Sequence, residues 1–237
     1  MSTQIAKVIS WIVALLVPIA LVLGAVRILL SPVYLVFEYN TPAFPPDPFG
    51  FTKEERLFWS GLALDYLLND EGVEFLGDLR FPKGQLAPLQ SCRYMDDCTQ
   101  LYNARELKHM VDVKNVVQAA LKVGYAALIA IFVLGLWAWF GGGWTEYRRG
   151  LSRGGWLTLI LIAAILAFVL LAFGVLFVAF HNIFFDSGTW TFLFSDTLIR
   201  LFPERFWRDT FLIVGLVAGG GGALIGYLLR DRSKRAN

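Results

Sequence analysis

Four long apolar stretches dominate this sequence, at residues 8–30, 116–140, 156–180 and 210–229. A helix needs roughly 20 largely apolar residues to cross a hydrocarbon core about 30 Å thick. In lipid, a helix is also the form in which one segment satisfies all its own backbone hydrogen bonds. The sequence therefore predicts an all-α membrane protein, with four transmembrane helices in a single integral membrane domain covering 1–237.

Two of these stretches carry further local information. The first is expected to be a retained anchor, because its apolar run is too long for a signal peptide and no small-residue cleavage site follows it. Pro18 lies inside that stretch and predicts a kink. In the last stretch, small residues at near-helical spacing predict close contact with a neighbouring helix. They are Gly215, Gly219, Gly222 and Gly226.

Composition agrees with a membrane protein and excludes several functions. Hydrophobic residues make up 57% of the chain and charged residues 17%, which is not the balance of a soluble domain. The net charge of +2 is too small to suggest nucleic acid as a partner. Because the sequence has no glycine-rich phosphate loop and no basic tract, we expect no nucleotide cofactor. Membrane lipid is the expected environment and partner.

Short basic segments predict the orientation, since Lys and Arg resist translocation. The loop at 146–153 and the tail at 230–235 are both rich in these residues, and we place both in the cytoplasm. An even number of spans then puts the N-terminus inside as well. Residues 31–115 and 181–209 are left as extracytoplasmic segments. The cell membrane of a bacterium is the expected location.

The longer outer segment is predicted to be largely helical. Its proline-rich run at 41–50, TPAFPPDPFG, cannot be helix. Thr52 followed by Glu55 has the capping-box pattern that begins a helix. Asn103 followed by Glu106 repeats this pattern and begins a second helix that continues into the second span.

Cys92 and Cys98 are the only cysteines, and they lie in the outer segment. On the outer face of a cell a disulfide between them is permitted. A metal site is the alternative, but no second pair of ligands lies nearby at zinc-like spacing. The disulfide is therefore favoured, and no metal site is expected.

The chain has two histidines, His109 and His181, and each lies at the outer edge of a predicted span. On the helix that begins near Asn103, Arg105 and Asp112 share a face with His109. A carboxylate one turn from an imidazole can fix its tautomer and stabilise its charged form, as a general base requires. The alternative is structural, since polar and aromatic side chains at the ends of spans are common at the membrane interface.

Four blocks of sequence together resemble one bacterial four-span family. These are FEYN at 37–40, ELKHMVDVKNV at 106–116, FHNIFF at 180–185 followed by Trp190, and SDTLIRLFPERFWRD at 195–209. In order and spacing the chain resembles the lipoprotein intramolecular transacylase family over nearly its whole length. Neither HM.DVK nor H..FF....W.....D.LI..FP follows from generic membrane composition.

The resemblance implies an enzyme that acts on a diacylglyceryl lipoprotein without a cofactor. It would move the sn-2 acyl chain of an S-diacylglyceryl cysteine to the α-amino group of the same cysteine, leaving an N-acyl, S-monoacylglyceryl lipoprotein. By matching position, His109 and His181 are the implied catalytic residues and Asp112 an orienting neighbour. Further family-like positions, with roles left open, are Glu38, Tyr39, Trp190, Asp196, Arg200 and Arg205.

The chemistry agrees with this residue set. An acyl shift from ester to amine needs a deprotonated amine, a stabilised oxyanion and a protonated leaving alkoxide. We hypothesise that His109 is both base and acid, and that His181 contacts the substrate or the oxyanion. Arg205 and Arg27 are weaker candidates for the oxyanion. The two imidazoles are then expected to meet in one pocket at the outer lipid boundary.

Two other functional classes remain as alternatives. A non-enzymatic membrane scaffold or lipid-binding subunit would use the two histidines only as interfacial structure. A transporter would normally carry ionisable residues near the membrane midplane, and the third and fourth stretches have none.

Overall fold

The structure is a computed structural model that describes residues 1–230, and this part of the chain is helical. Its β pairing is limited to one isolated bridge between Arg80 and Gln100. The all-α prediction is confirmed. The basic tail residues at 231–235, which entered the orientation argument, lie outside the described residues. The helices of residues 1–230 are α1 (Thr3–Leu29), α2 (Pro32–Tyr39), α3 (Lys53–Leu68), α4 (Glu74–Gly77), α5 (Leu89–Cys92), α6 (Ala104–Phe140), α7 (Trp144–Phe184), α8 (Thr197–Leu201) and α9 (Glu204–Leu228).

Four of these helices, α1, α6, α7 and α9, are long and apolar enough to cross a membrane. This confirms the four predicted spans. Helices α6 and α7 contain 37 and 41 residues, or about 55 and 60 Å at 1.5 Å per residue. Both exceed the hydrocarbon core, so each continues beyond it. His109 lies in the second turn of α6 and His181 in the last turn of α7. The outer helix expected from Asn103 and the second span are thus one continuous helix.

The chain divides into two compact units. The first contains Met1–Leu29, Ala120–Leu171 and the described residues from Phe211 onward, which include most of the four apolar stretches. The second contains Leu30–Ala119 and Ala172–Thr210. All the candidate site residues except Arg27 belong to the second unit. The backbone of α7 departs from helical geometry at Ala172, with φ −152° and ψ 49°, where the chain passes between the units.

Glycines allow close packing of α7 and α9 in the first unit. A Cβ on Gly155 would lie 2.5 Å from the carbonyl oxygen of Gly222, and one on Gly222 would lie 2.7 Å from the carbonyl oxygen of Gly155. Gly215 and Gly219 of α9 face the side chains of Leu166 and Ile162 of α7. The helix contact predicted from the glycine spacing is confirmed, because larger side chains would force the two backbones apart.

Local capping begins two helices of the second unit as predicted. Thr52 and Glu55 form a reciprocal capping box at the start of α3. At the start of α6, the Asn103 side chain accepts a hydrogen bond from the Glu106 amide at 3.0 Å, and the Glu106 carboxylate accepts from the Asn103 amide at 2.8 Å. These bonds satisfy amides that the first helical turn leaves without partners.

The core of the second unit is built from aromatic and aliphatic side chains between α3, α6, α8 and the connecting loops. Glu106 also contributes to it, because its second carboxylate oxygen accepts the Leu198 amide at 2.7 Å and so joins α6 to α8. The buried hydrophobic members are Phe51, Trp59, Ala63, Tyr66, Leu76, Phe81, Ala87, Leu101, Tyr102, Met110, Leu198 and Leu201.

Two arginines hold the proline-rich run at 41–50 against this unit. The run is not helical, as predicted. Arg200 of α8 binds Asp47 with both Nε and Nη2, and its side chain and that of Asp47 are 3% and 0% exposed. Arg56 of α3 donates to the Pro45 carbonyl at 2.7 Å. The run cannot form regular backbone hydrogen bonds of its own, so side-chain hydrogen bonds hold it in place.

The two cysteines are bonded in the structure, with Cα atoms 5.1 Å apart. Replacing Cys92 and Cys98 together by serine is expected to lower the free energy of unfolding by about 2 kcal/mol, because the bridge restricts the loop in the unfolded chain. Thermal unfolding of the purified protein measures this. The wild type under reductant is the matched control and should lose the same stability. An unchanged midpoint in both samples would contradict the prediction.

Candidate active site

The structure brings the two histidines together in the second unit. Helix α6 presents His109 and the last turn of α7 presents His181, and their ring centroids lie 6.1 Å apart with planes inclined by 19°. His109 is 8% exposed and His181 is partly buried. Two imidazoles at this separation can contact one small reacting group, so their geometry fits a shared site.

Aromatic side chains enclose the pair. The Phe185 ring contacts both histidines, with centroid distances of 4.9 Å to His109 and 5.5 Å to His181. Apolar walls of this kind exclude water, which strengthens every hydrogen bond made inside. Other rings in contact with one of the histidines are Phe177 at 4.0 Å, Phe180 at 5.6 Å, Trp190 at 4.8 Å and Phe192 at 5.3 Å.

One hydrogen bond fixes the tautomer of His181. Its Nδ1 lies 2.8 Å from the carbonyl oxygen of Phe177. A carbonyl oxygen only accepts hydrogen bonds, so Nδ1 of His181 must carry the proton. In the neutral ring the lone pair is then on Nε2, which leaves that atom as the base of the ring.

His109 has a different environment. Its Nδ1 is buried and has no hydrogen-bond partner in the described part of the chain. The sequence suggested that Asp112 orients this ring, but among the described residues Nδ1 of His109 donates no hydrogen bond to the Asp112 carboxylate. A charged His109 would therefore bury an unpaired N–H, which typically costs 1–3 kcal/mol.

Asp112 instead lines an open cleft beside the histidines. The cleft has a volume of about 200 Å³. Phe185 belongs both to its wall and to the aromatic enclosure of the two imidazoles. The cleft thus has a polar surface that is separated from the two histidines by the Phe185 ring. Its lining residues are Asp112, Asn115, Val116, Phe184, Phe185 and Asp186.

Three other candidate residues have partners inside the second unit. The Tyr39 hydroxyl donates to the Leu201 carbonyl. The Asp196 carboxylate accepts the Leu193 amide at 2.9 Å before α8, and Arg205 pairs with Asp209 one turn along α9. These hydrogen bonds and this ion pair stabilise the second unit.

Arg27, the remaining basic candidate, lies in the last turn of α1 and belongs to the first unit.

Sequence reasoning missed the aromatic enclosure, because single phenylalanines near a span are indistinguishable from lipid-facing residues. It also missed the hydrogen bond from the Leu198 amide to Glu106. The capping pattern had identified Glu106 only for its bond with the Asn103 amide.

Glu38 is fully buried in α2, and neither carboxylate oxygen has a hydrogen-bond partner among the described residues. Burial, and next the nearby Asp209 carboxylate, raise the pKa of Glu38 to about 7 from 4.5. The Arg205 guanidinium acts in the opposite direction, and Tyr34 also lies in this group. The folded protein therefore favours the neutral acid.

This shift predicts that stability depends on pH. A raised pKa means that the folded state holds the Glu38 proton more tightly than the unfolded state does. The contribution is present below pH 4.5 and is lost as the pH rises through about 7. Unfolding of the wild type should thus become easier across this window, and Glu38→Gln should flatten the change because it cannot ionise. Thermal unfolding across the window measures this.

Glu54→Gln is the control, since it removes a carboxylate from the exposed start of α3. This variant should retain the pH dependence of the wild type. Parallel pH profiles for the wild type and Glu38→Gln would show that Glu38 does not cause it.

Comparison with known proteins decides the family. The family model described as "Lipoprotein intramolecular transacylase Lit" matches residues 8–207, which include both histidines and their aromatic neighbours. The chain belongs to the Lit family. The predictions of a transacylase, of an enzyme and of a lipoprotein as partner are thereby confirmed.

The individual relatives agree with this assignment. An uncharacterized protein of Aquifex aeolicus (strain VF5) is 32% identical over 223 residues, with 92% of each chain covered. The in meso structure of the membrane integral Lit from Bacillus cereus has a TM-score of 0.77 at 21% identity, with each chain covered completely. A variant of that protein with one histidine replaced by alanine has a TM-score of 0.67 at 20% identity, covering 98% of this chain and 95% of that one. These structures show that the chain has the Lit fold. Together with its four long apolar helices, this supports a multi-pass membrane protein.

Proposed function

We propose that this Lit-family chain moves the sn-2 acyl chain of an S-diacylglyceryl cysteine onto the α-amino group of the same lipoprotein cysteine. The product is an N-acyl, S-monoacylglyceryl lipoprotein. The observation that carries the proposal is the pair of imidazoles, 6.1 Å apart, enclosed by aromatic rings. The ester and the amine are on one molecule, so the enzyme contributes mainly by holding them in attack geometry.

The reaction balances without an added reagent. The amine nitrogen bonds to the ester carbonyl carbon and loses a proton, and the carbonyl oxygen becomes an oxyanion. When this intermediate collapses, the bond from carbon to the glyceryl oxygen breaks and the alkoxide takes up a proton. One imidazole can accept the first proton and deliver the second.

We assign the proton transfer to Nε2 of His181. Its tautomer is held by the Phe177 carbonyl, and that same bond supports the ring when it becomes charged. His109 was the first hypothesis for this role, but its unpaired Nδ1 disfavours the charged ring. We assign His109 to a neutral polar contact with the substrate, and Asp112 to the approach of the substrate through the cleft.

The remaining candidates divide according to their partners. Tyr39 and Arg205 are engaged within the second unit, so we propose that they shape the site without contacting the substrate. Glu38, Trp190 and Asp196 each keep a buried polar atom without a partner in the described residues, which for Asp196 is Oδ1. These three are the better candidates for contact with the substrate.

We further propose that the second unit faces the outside of a bacterial cell membrane and that both termini are cytoplasmic. The support is the loop between α6 and α7 and the start of α7, where Arg148, Arg149 and Arg153 lie close together. Basic residues in a short loop favour the cytoplasm. The disulfide in the second unit agrees, since such bonds persist in oxidising compartments.

The test must detect an isomer, because intramolecular transfer leaves the mass of the lipoprotein unchanged. The chain is expressed in a host that lacks lipoprotein N-acyltransferase and transacylase activity, and the N-terminal lipopeptide of a lipoprotein is treated with mild alkali. The N-acyl amide resists alkali, whereas both esters of the substrate are cleaved. One retained acyl chain, with tandem mass spectrometry placing it on nitrogen, is the expected result. Complete deacylation would favour the non-enzymatic scaffold.

A further inference from the structure

Trp190 carries an unused hydrogen-bond donor beside the histidine pair. Its Nε1 is buried and has no partner in the described part of the chain. More than about nine in ten buried polar groups in proteins are hydrogen-bonded, so an unpaired one requires an explanation. The indole lies 4.8 Å from the His181 ring, centroid to centroid. The donor therefore belongs to a ring that contacts His181, the residue to which we assigned the proton transfer.

The acyl shift needs such a donor. Attack on the ester converts its carbonyl oxygen into an oxyanion, and a pre-positioned N–H group is the usual way in which enzymes stabilise this charge. Arg205, one of the arginine candidates for the oxyanion, is already paired with Asp209. Among the ring contacts of the histidines in the described residues, the phenylalanines have no N–H, whereas Trp190 does.

We propose that the Trp190 Nε1–H donates the hydrogen bond that stabilises the oxyanion of the tetrahedral intermediate. As the bond from nitrogen to carbon forms, the carbonyl electron pair moves to oxygen and accepts this hydrogen bond. As the bond from carbon to the glyceryl oxygen breaks, the electron pair on the oxyanion re-forms the carbonyl double bond. The hydrogen bond from Trp190 then weakens. The indole neither gains nor loses a proton. This inference rests on the proposed function.

An indole at the end of a span also has an ordinary explanation, because tryptophan is enriched at membrane interfaces. In that position, however, the N–H usually points to water or headgroups. The Nε1 of Trp190 is instead buried, and the indole contacts the His181 ring. The two explanations differ in kinetics, since an interfacial anchor changes stability and an oxyanion donor changes turnover.

The experiment compares Trp190→Phe with Trp59→Phe in the purified full-length protein. Trp59 is a matched control, because it is 7% exposed and lies in the core of the second unit, and its Nε1 is also buried without a partner in the part of the chain that the structure describes. Trp190→Phe should lower kcat about 10²–10³-fold with little change in KM. Trp59→Phe should leave kcat within about threefold of the wild type, the scatter allowed for a change that does not touch the reacting atoms.

Two further measurements keep the outcome decisive. Benzothienylalanine at position 190 preserves the indole shape without the N–H, and it should lower kcat as Trp190→Phe does even if phenylalanine perturbs folding. A phosphonate analogue of the sn-2 ester mimics the tetrahedral intermediate, and its affinity should fall in parallel with kcat. Retained kcat in the benzothienylalanine enzyme would overturn the proposal for Trp190. Absence of transfer by the wild type would instead overturn the proposed function.

Discussion

Replacing His181 by glutamine should lower the turnover number about 10²–10⁴-fold near neutral pH, the usual contribution of a positioned general base. Glutamine keeps a polar side chain of similar length but cannot accept and return the proton. The assay follows the acyl chain on nitrogen by alkali treatment and tandem mass spectrometry, with purified enzyme and a diacylglyceryl lipopeptide. The neighbouring Asn182 is exposed, and Asn182→Ala serves as the control that should retain full activity.

The pH dependence of the variant distinguishes a base from a residue that only holds the substrate. The α-amino group of the substrate has a reference pKa near 8, so its neutral fraction rises roughly tenfold between pH 7 and pH 9. If His181 removes this proton, a higher pH should restore part of the activity of His181→Gln. His109→Gln should lose activity without comparable recovery. Equal recovery of the two variants, or none in either, would contradict our division of roles.

Replacing Asp47 by alanine should lower the free energy of unfolding by about 3–5 kcal/mol. The change leaves the Arg200 guanidinium buried without its counterion, with its side chain only 3% exposed. It also releases the proline-rich run, which depends on side-chain bonds for its attachment. Thermal or denaturant unfolding of the purified protein in detergent measures the loss.

Two variants test whether the buried charge is the cause. Asp47→Ala combined with Arg200→Met removes both charges and should recover much of the lost stability, because no unpaired cation remains. Arg80→Ala breaks the Arg80–Asp97 pair, whose side chains are 41% and 49% exposed, and should cost at most about 1 kcal/mol. A loss after Asp47→Ala no larger than that after Arg80→Ala would refute the prediction.

The four spans and the starts of α3 and α6 could be predicted from the sequence for the same reason. A span is recognised from the length and apolar character of one segment, and a cap such as that of Thr52 and Glu55 from residues three positions apart. Neither property depends on a distant part of the chain. The glycine pattern of α9 belongs to the same class, although its partner helix α7 could not be identified from that pattern alone.

The candidate site shows where such reasoning stops. Helical periodicity placed Asp112 on the face of His109, but a shared face does not determine which atoms form a hydrogen bond. In the structure Asp112 lines the cleft, and the bond that orients an imidazole is instead the one that His181 Nδ1–H donates to the Phe177 carbonyl. Backbone carbonyls carry no signature in a sequence, so this partner could not have been predicted.

The sequence by itself determined that the chain has four helices able to cross a membrane, where α3 and α6 start, and, through its motifs, which family it belongs to. These properties depend on local hydrophobicity, on hydrogen bonds within one helical turn and on residue identity in order. Only the tertiary structure decided that His109 and His181 stand 6.1 Å apart, that His181 is protonated on Nδ1, and that the Trp190 indole N–H has no partner among residues 1–230. Those facts depend on how α6, the end of α7 and the following loop pack together, because burial and pairing arise between segments that are remote along the chain.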